Sequence, residues 1–283
     1  MRLKLYKTLW GHTGTIVEAS AAAQDAGFDG VEAVPPAIEQ QADWGRRLDD
    51  ANLDFIAEIP TTGDYVPRRE APVAEHLESL REGLIAAKAL RAKLVNCVGG
   101  CDAWSLPQSV DFFGVAITLA KQFEIPIAFE THRARSTFTP WATRDILHQL
   151  PEMQLTCDFS HWCVVLERLP DSEPEIMTLC FERALHIHAR VGYAQGPQVT
   201  DPGAPEFRPE LEAHEMWWTN IWRSREARGA DVATMTPEFG PDGYLHCLPH
   251  TGMPVADLTQ INAWMARRQR QRFENYRQET FHS

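Results

Sequence analysis

The chain has 283 residues, 44% of them hydrophobic, which is enough for one large α/β domain with an extensive core. The formal charge of −12, from 27 Lys and Arg against 39 Asp and Glu, disfavours binding to nucleic acid or to anionic lipid. No run approaches the roughly 20 apolar residues that span a bilayer, and residues 1–7 lack the apolar stretch of a signal peptide. We therefore expect a cytoplasmic protein, with no membrane partner, whose six cysteines stay reduced.

Short apolar, β-rich segments alternate with longer amphipathic stretches along the whole chain. The first amphipathic stretch ends before Gly27, at the place where a helix commonly has a C-terminal glycine. Eight strands that alternate with helices are typical of a closed parallel barrel, so we predict a single (β/α)8 TIM barrel domain over residues 1–283. The predicted strands are 3–6, 28–34, 54–60, 93–98, 126–132, 154–160, 184–191 and 234–239, and helical stretches include 15–26, 74–90, 109–123 and 141–150.

One interval is longer than this alternation requires. Residues 192–233 separate the seventh and eighth predicted strands, and they include a helical pattern at 209–228 that carries Trp217, Trp218 and Trp222. We predict a long loop and helix insertion after strand seven. A segment of this length is often a functional cover, but a decorated loop or a contact between subunits of a homo-oligomer explains it equally well.

Four consecutive predicted strands end in side chains that can bind a metal ion: Glu130, Asp158, His188 and Glu238. The C-terminal strand ends form the catalytic face of this barrel, and side-chain alternation turns all four residues toward its interior. Three carboxylates in one small volume repel each other, and a divalent cation removes that repulsion. This oxygen-rich set predicts one divalent ion, Mn²⁺ in preference to Mg²⁺ or Co²⁺, rather than a structural zinc.

Four motifs resemble those of the xylose-isomerase-like barrels, which include ketose 3-epimerases, hydroxypyruvate isomerases and inosose dehydratases. The resemblance implies that Glu130, Asp158, His188 and Glu238 bind one metal ion, and that the two glutamates also exchange protons with the substrate. It further implies that His161 and Arg190 contact substrate oxygens. The motifs are Glu-Thr-His at 130, Asp-Phe-Ser-His at 158, His-Ala-Arg at 188 and Pro-Glu-Phe-Gly at 237, and the similarity extends back to residues 27–32.

Other residues are weaker candidates for the site. We expect His132 to orient substrate hydroxyls beside His161 and Arg190, and Trp10 to offer a flat wall to a sugar ring. Trp104 and the tryptophans of the long interval could do the same, although packing is the commoner role of tryptophan. Glu32 and Glu58 also lie near strand ends, where we expect them to support the ligands or to lie at the surface.

The chain departs from the ketose 3-epimerases at two positions. Arg190 follows His188 by two residues, whereas those enzymes place their arginine further along the chain. They also carry a second glutamate shortly after the strand-five ligand, and this chain has Ser136 there. Asp242, close to the usual phosphate site of such barrels, favours an unphosphorylated sugar.

We therefore predict a metal-dependent sugar isomerase or epimerase, with Glu130 and Glu238 as the catalytic pair. One carboxylate would remove a proton next to a carbonyl, and the proton would return to a metal-stabilised enediolate. The alternative is a lyase or dehydratase, in which the same site eliminates a leaving group from a keto-sugar or keto-glycoside. A non-catalytic sugar-binding barrel is less favoured. An apurinic-endonuclease-type barrel is also less favoured, because it needs more metal ligands and a basic surface.

Overall fold

The computed structural model describes residues 1–241 and 243–282, so that Asp242 lies outside the described residues. Its eight parallel strands form a closed barrel in the order β1 to β8, with β8 paired to β1. The predicted (β/α)8 TIM barrel is therefore confirmed. The strands are β1 (Arg2–Thr8), β2 (Gly30–Ala33), β3 (Asp54–Pro60), β4 (Leu94–Val98), β5 (Ile127–Glu130), β6 (Leu155–Cys157), β7 (Ala184–His188) and β8 (Val232–Thr236).

Helices connect the strands and cover the outside of the barrel. The first begins after Thr15, whose hydroxyl accepts a hydrogen bond from the backbone of Glu18, while the Glu18 carboxylate accepts one from Thr15 N at 2.7 Å. It ends before Gly27, whose φ of +74° suits glycine. The helices are α1 (Ile16–Asp25), α2 (Ile38–Asp50), α3 (Val73–Ala89), α4 (Leu106–Phe123), α5 (Pro140–Gln149), α6 (Ser160–Leu166), α7 (Pro174–Arg183), α8 (Arg208–Ala227) and α9 (Leu258–His282).

The barrel interior is apolar toward one end and polar toward the other. A small cluster of Tyr6, Ile56, Leu94 and Ala128 fills the interior, separately from the larger core between strands and helices. Polar side chains occupy the positions that follow toward the C-terminal ends of the strands, where Glu58 pairs in register with Asn96. The polar interior positions among the described residues therefore lie toward the C-terminal face, where active sites of this fold are found.

The last four strands are shorter than the sequence predicted. β5 ends at Glu130 rather than at residue 132, and β6 ends at Cys157. Beyond these points polar side chains take the place of strand partners. The Thr131 hydroxyl accepts from Asp158 N and donates to Asp158 O, both at 2.8 Å. These side-chain bonds join the ends of the two neighbouring strands and satisfy the Asp158 backbone in place of a ladder partner.

The interval between β7 and β8 contains a loop and α8, which is the crossover helix and packs against α7 and β7. All three tryptophans of α8 are buried, and Trp217 Nε1 donates to Asp171 at 2.8 Å. The loop is bound to the end of β8, because the Gln198 amide exchanges two hydrogen bonds with the Gly240 backbone, at 2.9 and 3.1 Å. The α8 tryptophans therefore belong to the core and offer no wall to a sugar.

All six cysteines are free thiols, of which five are buried and Cys247 is exposed. Within the described part of the chain, no helix combines the length and the apolar character that crossing a membrane requires.

Candidate metal and active site

The four predicted ligands converge at the C-terminal face of the barrel. Glu130, Asp158, His188 and Glu238 are all buried, and one ligand atom from each lies within 4.8 Å of the others. They come from the ends of β5 to β8, so neighbouring strands bring them together. Metal binding by this cluster stays a prediction, whereas the juxtaposition on which it depends is observed.

Glu32, on β2, orients the ring of His188. Its carboxylate lies 3.0 Å from Nε2 of His188 and 3.2 Å from Nε2 of His186, and it accepts a hydrogen bond from Thr236. Burial opposes ionisation of Glu32, but the charges and hydrogen bonds of the two histidines hold its pKa well below the usual range. An ionised carboxylate can only accept, so Glu32 keeps the proton of His188 on Nε2 and leaves a lone pair on Nδ1.

The Nδ1 atom of His188 faces the carboxylate cluster. It lies 2.9 Å from Oε2 of Glu238 and 3.7 Å from Oε2 of Glu130, yet it has no hydrogen-bond partner in the described structure. A buried lone pair beside carboxylates is unfavourable unless a proton or a cation lies between them. One imidazole nitrogen and three carboxylates are donors that suit a divalent cation, so these residues fit such an ion.

The carboxyl groups of the cluster differ in their affinity for protons. Burial, reinforced by the charge of Glu130, raises the pKa of both Asp158 and Glu238. Burial acts in the same direction on Glu130, but the charge of His188 outweighs it, together with hydrogen bonds that include one of 2.9 Å from Asn96 Nδ2. The pKa of Glu130 therefore falls to about 2. Two carboxyls with different proton affinities are typical of sites that both donate and accept a proton.

Arg190 joins the cluster from the loop after β7. Its guanidinium donates to Asp158 and to the Ser160 hydroxyl, and it also donates to Nε2 of His161 at 2.7 Å. Because a guanidinium can only donate, the His161 proton lies on Nδ1, and burial keeps the ring neutral by lowering its pKa. Nδ1 is buried and has no partner among the described residues, so its N–H lacks an acceptor there.

Aromatic rings close the entrance to the cluster. His132 stacks on His161 with the ring centroids 3.9 Å apart. Trp10 packs edge-on against Tyr244 and Tyr65, at centroid distances of 4.9 and 5.1 Å. The structure thus brings His132, His161 and Trp10 to the site together with Arg190, but their contact with a substrate stays a prediction.

Two pairs of hydrogen bonds hold the segment around Glu238, which lies two residues beyond the end of β8. The Asn262 side chain from α9 exchanges two hydrogen bonds of 2.9 Å with the Phe239 backbone, and Gln198 holds Gly240 from the other side. A Cβ at Gly240 would lie 1.9 Å from the ring of Trp10. Gly240 therefore lets the chain pass beneath the tryptophan that covers the site.

Some residues of the site were not predicted from the sequence, and Trp104 packs against His76 rather than at the entrance. Asn96 is polar and inward-facing in the apolar strand Leu-Val-Asn-Cys-Val, and that contrast was a usable signal. Glu32 is buried and bonded to His188, so of the two roles expected for it the supporting one is correct. Tyr244 follows β8 in a loop whose sequence has no periodicity that would mark it.

The fold and the cluster together define a (β/α)8 barrel with a carboxylate and histidine site at its C-terminal face. The family model of the xylose isomerase-like TIM barrel matches residues 20–208, and the chain belongs to this family. A search of curated proteins found no match.

Solved structures with the same fold cover almost the whole chain. The D-allulose 3-epimerase from Methylomonas sp., in complex with D-allulose, has a TM-score of 0.68 at 15% identity, over 96% of this chain and 97% of that one. An IolI protein with a bound zinc atom has a TM-score of 0.66 at 14% identity, over 93% and 96%. The probable 3-DHS dehydratase AsbF from Bacillus anthracis has a TM-score of 0.59 at 14% identity, over 93% and 97%. At these identities the likeness concerns the fold.

Proposed function

We propose that this protein is a divalent-metal-dependent sugar isomerase or epimerase, with Glu130 and Glu238 as its acid/base pair. The observation that carries the proposal is the convergence of one ligand atom each from Glu130, Asp158, His188 and Glu238 within 4.8 Å, where Nδ1 of His188 faces the carboxylates. Membership of the family supports it, because structures of the same fold include an epimerase in complex with the sugar D-allulose.

Glu130, Asp158, His188 and Glu238 would hold the metal ion, for which we propose Mn²⁺, with Mg²⁺ or Co²⁺ as the alternatives. Three carboxylates and one imidazole suit a hard divalent cation. Zn²⁺ belongs in the test as well, since the similar IolI protein was solved with zinc. A bound cation would supply Lewis-acid stabilisation of the negative charge that develops on a substrate carbonyl oxygen.

The chain's own residues would orient the sugar and move the proton. Nδ1–H of His161 can donate to a substrate oxygen, and Arg190 holds His161 in place. Glu130 and Glu238 both lie beside Nδ1 of His188, so a carbon held there can lose a proton to one carboxylate and gain one from the other. Return to the opposite face of the same carbon gives an epimer, and return to the neighbouring carbon gives an isomer.

A lyase or dehydratase is the second candidate, and Ser136 favours it. Ser136 lies where the ketose 3-epimerases carry a second glutamate, and its hydroxyl bonds to Ser109 Oγ at 2.9 Å and to the Cys101 carbonyl at 3.2 Å. It therefore supplies no acid to the cluster. Removal of the same proton would then be followed by departure of a leaving group from the next carbon.

Proton NMR in D2O tests the proposal, using protein loaded in turn with each metal and a panel of ketoses, aldoses and keto-glycosides. We expect deuterium to enter a carbon next to the carbonyl. The identity of the product distinguishes epimerisation, isomerisation and elimination. Glu130→Gln and Glu238→Gln should abolish the exchange, whereas Glu39→Gln, which changes an exposed glutamate of α2, should not.

Metal content is measured in every variant, because Glu130 and Glu238 are both proposed ligands. A variant that keeps its metal but loses exchange supports the acid/base role, and one that loses both supports the ligand role. Tight metal binding by the wild type without exchange across the whole panel would contradict the proposed reaction and favour the non-catalytic sugar-binding barrel.

A further inference from the structure

Glu58, on β3, is a buried carboxylate for which the proposed reaction has no use. Only 9% of the residue is exposed, and within residues 1–241 and 243–282 no hydrogen bond or ion pair reaches its side chain. Burial raises the pKa of Glu58 well above its usual range, and the charges of Glu238, Glu130 and Glu32 add to this rise more than the charge of His188 offsets it. Burying an unpaired carboxylate beside three others is costly, and groups of this kind persist mainly where they serve a ligand.

Glu58 faces a cavity that adjoins the metal cluster. In register Glu58 lies next to Asn96, whose side-chain amide donates to Glu130, a member of the cluster. The cavity has a volume of about 230 Å³, and the rings of Trp10, Tyr65 and Trp44 line it. Trp10 Nε1 is also buried without a hydrogen-bond partner in the described chain. Aromatic walls around a few polar groups without partners are typical of a small-molecule subsite.

The charges that line this cavity decide which ligands it can accept. Glu58 and Asp64 contribute carboxylates and His12 an imidazole, and no Lys or Arg is among the described lining residues. The guanidinium of Arg190 lies 5.7 Å from the centre of the Trp10 ring, but it pairs with Asp158 and is not among the described residues that line the cavity. A phosphate or carboxylate in the cavity would therefore meet acidic groups and no lining cation to offset its charge.

We propose that Glu58 is a specificity-determining residue, which binds hydroxyl groups of an uncharged sugar in the cavity beside Trp10 and Tyr65 and rejects a phosphorylated or carboxylated end. The inference deepens the proposed function and rests on it, since it assigns the substrate class of the same site. A carboxylate accepts hydrogen bonds from sugar hydroxyls, and the aromatic rings pack against the apolar faces of the sugar. The reacting end of the sugar would lie at the cluster and its far end at Glu58.

The test compares Glu58→Gln with the wild type and with the matched control Glu39→Gln, which also removes one glutamate charge but on the exposed surface of α2. Binding of D-fructose, D-allulose and D-tagatose, and of D-fructose 6-phosphate, is measured by ligand-observed NMR on the metal-loaded proteins. Deuterium exchange gives kcat and KM for each sugar that reacts. We expect Glu58→Gln to raise Kd and KM for the neutral ketoses about tenfold or more, the usual worth of a hydrogen bond to a charged group, with a smaller effect on kcat.

We also expect the wild type and Glu39→Gln to bind D-fructose at least tenfold more tightly than its 6-phosphate, and this ratio to shrink in Glu58→Gln. Preference of the wild type for the phosphate ester would overturn the inference. Unchanged affinity of Glu58→Gln for the neutral ketoses would overturn it too, and so would a failure of every neutral ketose to bind the wild type. These binding results are independent of exchange, so absence of exchange alone speaks against the proposed reaction and not against the subsite.

Thermal unfolding shows whether the variant is folded. Glutamine keeps the size of the side chain and removes the repulsion from Glu130 and Glu238, so Glu58→Gln should unfold at the wild-type temperature or above it. A higher unfolding temperature together with weaker sugar binding is the combination expected of a residue kept for its ligand. Weaker binding together with a lower unfolding temperature would instead assign Glu58 a structural role.

Discussion

Replacement of Glu32 by glutamine should weaken metal binding, although we do not propose Glu32 as a ligand. In the wild type its carboxylate accepts from Nε2 of His188 at 3.0 Å and contacts His186 and Thr236 with its other oxygen. Glutamine keeps only one oxygen. If that oxygen stays with His186 and Thr236, the amide N–H₂ faces Nε2 of His188, which must then become an acceptor. The proton of His188 moves to Nδ1, the atom that would otherwise bind the metal ion.

The size of the effect follows from this tautomer change. Loss of a partner that orients a ligating histidine typically lowers metal affinity about 10- to 100-fold, which corresponds to roughly 1.4 to 2.7 kcal/mol. The opposite amide orientation keeps an acceptor on Nε2 of His188 but still removes the ionised carboxylate that makes the ring a stronger ligand, while the N–H₂ group faces the His186 ring and the Thr236 hydroxyl. Thr236 can turn to accept, so the lower end of the range applies if the protein adopts this second orientation.

The assay is a Mn²⁺ titration that follows free Mn²⁺ by electron paramagnetic resonance, with Glu39→Gln as the control of equal charge change. Nitrogen NMR of the metal-free proteins, recorded above the raised pKa of His188 so that the ring is neutral, reports its tautomer directly. We expect protonated Nε2 in the wild type and protonated Nδ1 in Glu32→Gln. A Kd for Mn²⁺ within twofold of the wild type would refute the reasoning, whatever the tautomer, because the positioning of His188 would then have no bearing on binding.

Three further predictions concern pH, the fold and the entrance. Burial opposes protonation of His188, but the carboxylates of Glu238, Glu32 and Glu130 outweigh it and raise the pKa of His188 well above 6.5. The protonated ring therefore stabilises the metal-free protein fully below pH 6.5, and this stability is lost as the pH rises through the raised pKa. A metal must displace this proton, so Mn²⁺ affinity should rise up to about tenfold per pH unit above 6.5, and a flat titration series would contradict this. Arg135→Met should lower the free energy of unfolding, measured in urea, by about 2–4 kcal/mol, because the buried guanidinium donates to the carbonyls of Thr61, Tyr65 and Gly100. A loss below about 1 kcal/mol would contradict this role of Arg135. Gly240→Ala should displace Trp10 and change the tryptophan fluorescence while the unfolding temperature falls only slightly; an unchanged spectrum would disprove the contact.

The barrel could be predicted from the sequence because the patterns that indicate strands and helices are local. Strand and helix stretches alternate through the chain, and the residues that delimit a helix are next to it, as Thr15 is at the start of α1 and Gly27 after its end. The four candidate ligands could also be predicted from the sequence, since each is an unusual polar residue at the end of an apolar strand. Side-chain alternation fixes the face to which such a residue turns. Once a closed parallel barrel is assumed, the C-terminal ends of neighbouring strands must meet, and the convergence of the four ligands follows without further information.

Only the tertiary structure decided how these residues are paired, because the partners are far apart in the chain. The sequence cannot tell that Glu32 bonds to His188 rather than lying at the surface, nor that Glu58 has no hydrogen-bond or ion-pair partner among the described residues, since both are glutamates near strand ends. The sequence also could not decide that the tryptophans of α8 lie in the core, because only the packing of the helix on the barrel determines which of its faces is buried. Periodicity determines the direction in which a side chain points, whereas the closure of the barrel determines what it meets there.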